Sequence, residues 1–133
     1  MRKALIGVVV ALSLACSDYD VTGSSTVNGT YTLRTVNGSP LPYTLPGGGA
    51  IKTEIVSDTI TLFQGGTFAR VRDSRITENG QTTHVSEMDT GSYALFGTSV
   101  TLNSTATGKP IVAIINANTM TIVEAGVTSV FSK

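Results

Sequence analysis

Beyond residue 15, apolar and polar residues alternate over short segments, which is the pattern of β-strands with one apolar face. Ile60 and Leu62 fall on one face of such a segment and the intervening threonines on the other, while helical periodicity is almost absent. Threonine occurs 21 times and, with valine, isoleucine and tyrosine, suits a pleated, half-buried surface. The pattern predicts nine strands, at residues 30–36, 53–63, 67–77, 82–89, 91–96, 99–104, 111–115, 119–124 and 127–131.

Turn sequences such as Asn37-Gly38 and Asn79-Gly80 separate these strands and are typical of two-residue hairpin connections. Short connections between consecutive strands favour an antiparallel meander, and this many strands can stack as a sandwich or close into a barrel. We predict an all-β domain over residues 29–133, an antiparallel up-and-down β-barrel of eight or nine strands.

The segment 37–50, NGSPLPYTLPGGGA, interrupts the alternation with three prolines and three consecutive glycines. Proline cannot donate to a strand ladder, so we expect an irregular loop across one end of the barrel. Its residues Leu41, Tyr43 and Leu45 can plug the core or form a lid. We favour the plug, because a small barrel needs its ends closed.

The first 15 residues read as an export signal: Arg2 and Lys3 precede an apolar run at 4–14 that is too short to span a bilayer. The next residue is the only cysteine, and LSLAC resembles the lipobox of bacterial lipoproteins. The resemblance implies that Cys16 carries lipid, of the palmitate type, and becomes the first residue of the mature chain. The alternative is an ordinary signal peptide cut after Ala15.

Acylation would remove the one thiol of an exported protein that cannot form an internal disulfide, and would supply a membrane anchor. By the same resemblance, Ser17 implies the outer membrane, facing the periplasm, as the place in the bacterial cell envelope. Residues 16–28, rich in small and polar side chains, are predicted to form the lipidated cysteine and a flexible tether. The 118 residues left after removal of residues 1–15 carry seven basic and nine acidic side chains, with no clustered basic face for nucleic acid.

The segment GTYTLRTVNGSPLPYTL resembles small bacterial lipocalin-like lipoproteins, with a Gly-x-aromatic opening strand, an Asn-Gly turn and a proline-rich loop. The resemblance implies a barrel that binds a small apolar or amphipathic ligand. A binding barrel predicts a continuous cavity, whereas a purely structural barrel predicts that the same side chains fill the interior. The inward residues in question are Tyr31, Leu33, Ile60, Leu62, Phe68, Tyr93 and Leu95.

Two arginines are the most interesting polar candidates. On an extended strand Phe68, Arg70 and Arg72 share one face, and an inward guanidinium can hold the carboxylate or phosphate of a ligand. The alternative places the arginines outside, paired with acidic residues of neighbouring strands. We favour that surface pairing, which is the more common arrangement, with these acids as partners: Asp73, Glu87 and Asp89.

No catalytic or metal-binding pattern stands out. The single histidine, His84, lies near Glu87 and Asp89, but strand alternation places it on the opposite face from both. No G-x-S-x-G motif is present. We therefore predict no enzyme activity, no metal and no cofactor. Two functions remain: a membrane-anchored ligand-binding barrel, and an envelope structural or interaction lipoprotein whose barrel holds no ligand.

Overall fold

The computed structural model describes residues 27–47 and 49–133. The predicted signal peptide at 1–15, Cys16 and nearly all of the tether lie outside these described residues. Within the described ranges, no helix has the length and apolar character needed to cross a bilayer.

The described residues form a closed antiparallel barrel of eight strands, with two short additional strands. Each barrel strand pairs with its sequence neighbour, and β1 closes the ring by pairing with both β10 and β4. Strand β2 (Ser39–Pro40) adds to β1, and β3 (Tyr43–Thr44) adds to β4. The predicted all-β antiparallel barrel is confirmed. Its eight strands are β1 (Gly29–Val36), β4 (Ile51–Leu62), β5 (Thr67–Glu78), β6 (Gln81–Phe96), β7 (Ser99–Ser104), β8 (Pro110–Asn116), β9 (Thr119–Glu124) and β10 (Val127–Ser132).

The predicted strands 82–89 and 91–96 are one continuous strand, β6, of 16 residues. The sequence predicts that a new strand begins at Gly91, but this glycine pairs within both ladders, with Phe68 on β5 and Ser104 on β7. A Cβ at Gly91 would clash with the Asn103 carbonyl oxygen and lie 2.9 Å from the Phe68 ring. The glycine therefore serves close strand packing rather than a turn.

Strands β4, β5 and β6 continue past their last pairings with β1 and β7 as a three-stranded flap, which comprises residues 51–58, 72–78 and 81–90. Side chains on its inner face, such as Ile55 and Asp58, are buried and continue the barrel interior. Pairing between β4 and β1 stops at Thr59, and pairing between β6 and β7 stops at Gly91. Strand β3 covers part of the β4 edge of the flap, whereas the edge of β6 that faces away from β5 pairs with no described strand over residues 81–90.

The chain enters the barrel at one end, here called the entry end. Hydrogen bonds connect the turns of this end in a ring. The Tyr93 hydroxyl contacts Asn28 Oδ1 and the Phe63 carbonyl oxygen, both at 2.8 Å, and Lys133 Nζ donates to the Asn28 carbonyl. The Lys133 N–H donates to the carbonyl of Asn118, which belongs to the β8–β9 turn. The entry end thus comprises residues 27–30, 63–67, 96–99, 114–119 and 132–133.

The opposite end, here called the loop end, carries the proline-rich segment, the β5–β6 turn, the loop at 105–109 and the β9–β10 turn. The three apolar residues of the proline-rich segment, Leu41, Tyr43 and Leu45, are partly buried against the core, which is the arrangement that the plug interpretation predicts. The barrel interior is filled by buried side chains that include Tyr31, Leu33, Val36, Ile55, Ile60, Leu62, Phe68, Val100, Leu102, Met120, Ile122 and Phe131.

Candidate functional site

A fully buried carboxylate lies inside the barrel on β4. Asp58 has no exposed surface and follows the inward alternation of Ile60 and Leu62. Its Oδ2 accepts from Arg70 Nη2 at 2.7 Å and from Arg72 Nε at 2.9 Å, and its Oδ1 accepts from Arg70 Nε at 3.0 Å. One negative charge is therefore shared by two positive charges, so these three residues carry a net charge of plus one.

Arg70 is the more deeply buried arginine, at 7% exposure. Burial alone would lower the pKa of its guanidinium, but the hydrogen bond and charge of Asp58 outweigh that effect and raise the pKa above its ordinary value. Glu124 and Asp89 act in the same direction, and Glu124 Oε2 lies 3.7 Å from Arg70 Nη1. Arg70 is thus a fixed, charged part of the barrel wall.

Arg72 uses only part of the hydrogen-bonding capacity of its guanidinium group. Its side chain is 28% exposed, and it contacts Asp58 through Nε. Among the residues that the structure describes, its terminal nitrogens make no hydrogen bond or ion pair. A planar guanidinium with free terminal N–H groups at the edge of a pocket can bind a carboxylate or phosphate through two parallel hydrogen bonds.

A cavity of about 450 Å³ opens beside these arginines at the loop end. Its volume falls within the usual range for small-molecule sites. The lining combines both charge signs with an apolar portion contributed by Met88, Ala106, Pro110 and Ile111. The remaining lining residues are Arg70, Arg72, Glu87, Asp89, Thr107, Lys109 and Glu124.

The loop at 105–109 forms one wall of the cavity and is tied to β6. Ser104 Oγ donates to Asp89 Oδ1 at 2.8 Å and accepts from the Thr107 N–H at 3.1 Å. The Thr105 N–H donates to the Thr90 carbonyl at 3.0 Å. Because the wall is bonded to the strand that carries Glu87 and Asp89, the shape of the cavity is largely preformed.

The structure corrects the favoured interpretation of the arginines. Both face the interior, on the same side as Phe68, and neither forms an ion pair with the predicted surface partners. Those partners were Asp73, Glu87 and Asp89; Asp73 instead accepts from Ser57 Oγ at 2.9 Å. The interior supplies its own counter-charge, Asp58, which removes the need for an outward orientation.

The other predicted ligand-contacting residues lie elsewhere. Five of them are core residues with at most 3% exposure: Tyr31, Leu33, Ile60, Leu62 and Phe68. Tyr93 and Leu95 are partly buried and pack against that core. None of these seven side chains lines the cavity, which shares only Arg70 and Arg72 with the predicted set.

Sequence reasoning missed Asp58, Lys109 and Glu124. For Asp58 a signal was available, because counting back two residues from Ile60 places an acid on the apolar face of a predicted strand. A charge in that position needs a partner of opposite charge nearby. Lys109 and Glu124 had no comparable signal, since loop contacts of this kind depend on tertiary packing.

His84 lies on the opposite face of β6 from Glu87 and Asp89, as alternation predicts, because the β5–β6 ladder has no bulge. The described residues contain no group of three or more His, Cys, Asp or Glu side chains arranged to hold a metal ion. No buried side-chain nitrogen or oxygen lacks a hydrogen-bond partner in the described ranges.

Comparison with known proteins identifies no family, because no family model and no curated protein matches the chain.

Proposed function

We propose that this chain is a lipid-anchored binding protein of the bacterial cell envelope, with no catalytic role, and that its ligand is a small amphipathic anion held in the loop-end cavity. The observation that carries the proposal is the sharing of Asp58 by two arginines, which leaves the terminal nitrogens of Arg72 available at the cavity. The anchor is the predicted lipid on Cys16.

Two cationic side chains of the cavity have N–H groups that can bind an anionic headgroup. Arg70 is neutralised by Asp58 and lies near Glu124. Arg72 contacts Asp58 only through Nε, and the ammonium group of Lys109 makes no side-chain ion pair with a described residue. Glu87 is the one acid of the lining without a hydrogen bond or ion pair among the described residues. The lining carries three cations, Arg70, Arg72 and Lys109, and the same number of acids. The preference for a carboxylate or phosphate therefore rests on hydrogen-bond geometry, namely the terminal N–H groups of Arg72 with the ammonium group of Lys109 nearby, and not on an excess of positive charge.

The apolar part of the lining fits the rest of such a ligand. Pro110 and Ile111 begin β8 behind the loop, and Met88 stands at the rim with 72% of its surface exposed. Methionine adapts its shape to varied apolar partners. The cavity also lies at the end opposite the chain entry, so an anchored barrel would present it away from the anchor.

Binding of octyl phosphate, with octanol as the uncharged comparison, tests the proposal by isothermal titration calorimetry. We expect wild-type protein to prefer octyl phosphate, and Arg72→Gln to weaken that binding by roughly tenfold or more, since a charged hydrogen bond contributes about 1.5–3 kcal/mol. Arg34→Gln is the matched control, because Arg34 is exposed on β1 and bonds Ser132.

Equal binding of octyl phosphate and octanol would reject the anionic ligand class. An equal loss in the Arg72 and Arg34 variants would show that long-range charge alone accounts for any preference. If Arg72→Gln binds octyl phosphate as tightly as wild type does, the loop-end cavity is not the binding site.

A second candidate function, self-association, has one observation in its favour: the uncovered edge of β6. The Glu78–Gln81 pair closes the two-residue turn, so odd-numbered residues of β6 bond to β5 and even-numbered ones point to the free edge. The free positions, Thr82, His84, Ser86 and Met88, are symmetric about Val85. Two copies can therefore pair antiparallel with every free position matched and no like charges opposite each other.

Ser86→Pro tests this candidate, because it removes an outward N–H from the edge without removing a backbone β5–β6 hydrogen bond. Ser86→Ala is the control, since it removes only the side-chain hydrogen bond to Asp73. We expect sedimentation velocity to show a concentration-dependent dimer for wild type and a monomer for Ser86→Pro, with similar circular dichroism. A wild-type protein that stays monomeric at all concentrations would exclude pairing through this edge.

A further inference from the structure

We propose that the entry end of the barrel is a membrane-contact surface, which lies on the bilayer that holds the lipid anchor and touches it through Phe63, Phe96 and Ile114. The inference rests on the proposed anchoring at Cys16 and adds an orientation and a set of lipid-contacting residues.

Large apolar side chains are exposed at this end. Phe96 is 89% exposed, Ile114 is 49% exposed and Phe63 is 47% exposed. Phe96 pairs with Ser99, and Ser99 pairs with Ile114, so the three side chains share the outer face of the barrel in one row across β6, β7 and β8. Phe63 lies in the neighbouring turn, which the hydroxyl of Tyr93 ties to the chain entry.

Charge is distributed in a way that suits a membrane surface. The described residues of the entry end, at 27–30, 63–67, 96–99, 114–119 and 132–133, include no aspartate or glutamate, and their one charged side chain is the cation Lys133. The acidic side chains of the described residues lie instead in the flap and, for Glu124, at the loop end. The described residues of the entry end would therefore present no acidic side chain to anionic lipid headgroups.

The attachment point brings this end to the bilayer. Ten residues, 17–26, separate Cys16 from Val27, where the described part of the barrel begins. Even fully extended, that length reaches only roughly 40 Å, similar to the length of a 12-residue strand such as β4. The entry end, where the tether joins the barrel, therefore always lies within that distance of the bilayer, so a contact between them needs no further extension of the chain.

A bilayer fits this surface better than a second protein copy does. Ser99 separates Phe96 from Ile114 in the outward row, and Phe63 lies apart from both in the turn between β4 and β5. Separate aromatic and aliphatic side chains around a short end can instead enter the headgroup region of a bilayer individually.

The test uses the absence of tryptophan from the chain, which makes any introduced tryptophan a unique reporter. The full chain, produced in bacteria with its own signal and purified with its lipid, is reconstituted on vesicles of phosphatidylcholine and phosphatidylglycerol. The variants are Phe96→Trp and Phe63→Trp, and the control is Met88→Trp, at a position 72% exposed on the same strand as Phe96. Eight residues along that strand place the control roughly 26 Å from Phe96.

On vesicles we expect the emission of Phe96→Trp and Phe63→Trp to shift to shorter wavelength and to lose most of its intensity when nitroxide-labelled lipids are included. The emission of Met88→Trp should not change. If the protein floats with the vesicles but both Phe96→Trp and Phe63→Trp behave like Met88→Trp, the contact is overturned while the anchor stands. If the protein does not float with the vesicles, the anchor is overturned and this inference with it.

Discussion

The carboxylate of Asp58 and the guanidinium of Arg70 form a buried ion pair, with Nη2 and Oδ2 2.7 Å apart and side-chain exposures of 0% and 8%. Removal of one partner would leave the other charged and buried. We expect Asp58→Asn to lower the free energy of unfolding by about 3–5 kcal/mol in urea titrations. The double variant Asp58→Leu/Arg70→Met should recover part of that loss, because it removes the two most deeply buried charges together and leaves Arg72, which is 28% exposed, in contact with water.

The control for this pair is Asp73→Asn on the flap, whose carboxylate bonds the hydroxyl of Ser57. Loss of such a hydrogen bond costs about 1 kcal/mol. Similar losses in Asp58→Asn and Asp73→Asn would contradict the view that Asp58 neutralises a buried cation.

Close packing at Gly91 predicts that Gly91→Ala destabilises the fold. The added Cβ would clash with the backbone of Asn103 and press on the ring of Phe68. Overpacking of this kind costs about 1–3 kcal/mol, and a backbone obstacle places the effect at the upper end. Gly47→Ala is the control, because a Cβ there meets nothing within 4 Å. Thermal unfolding that ranks the two variants equally would rule out the packing role of Gly91.

Two tyrosines, Tyr31 and Tyr93, are expected to ionise at a higher pH in the folded protein than in the unfolded chain. Burial raises the pKa of Tyr93 above its ordinary value of 10.0, and burial followed by the nearby charge of Tyr93 does the same for Tyr31. Because the folded pKa values are raised, the stability that these groups contribute is complete below pH 10 and is lost as the pH rises through the folded values. The tyrosinate absorbance of native and urea-unfolded protein is followed as the pH rises. Part of the increase should occur at higher pH in the native protein than in the unfolded protein.

Tyr93→Phe isolates that effect. The variant should lose part of the absorbance that rises at high pH. It should also lose about 1 kcal/mol of stability, because the Tyr93 hydroxyl of the wild type bonds Asn28 and the Phe63 carbonyl. Tyr43→Phe, at the loop end, serves as the comparison. An unchanged late fraction in Tyr93→Phe would contradict the assignment.

The free energy of unfolding should also fall in acid, because two carboxylates of the flap, Glu54 and Asp73, become protonated. The hydrogen bond from Lys52, opposed by desolvation and supported by Arg75, lowers the pKa of Glu54 below its ordinary 4.5. Hydrogen bonds from Ser86 and Ser57 lower the pKa of Asp73 below 3.8. Since both folded values are depressed, their stabilisation is present above those ordinary values and is lost as the pH falls further.

Urea titrations over a falling pH series check this, with Glu54→Gln as the test variant. The acid-dependent loss of stability should be smaller in Glu54→Gln than in wild type. Glu78→Gln, at an exposed residue with no hydrogen bond or ion pair among the described residues, should follow the wild-type curve. The expectation fails if Glu54→Gln also follows that curve.

The strands were predictable because alternation and turn residues are local properties. Strands β7 and β9 have the predicted bounds, and most others differ by one or two residues at an end. Gly91 is the instructive exception, since a glycine that permits close packing and a glycine that ends a strand look alike in sequence.

The site was less predictable. Alternation by itself placed Phe68, Arg70 and Arg72 on one face, but it could not tell which face was inside. That choice depended on Asp58, a residue more than ten positions away on the neighbouring strand, because a buried arginine is stable only beside a carboxylate that the fold brings to it. The sequence alone therefore determined the all-β class, the order of the strands and the residues that share each face. Only the tertiary structure decided that the arginines point inward and that the cavity lies at the loop end, because both follow from contacts between residues distant along the chain.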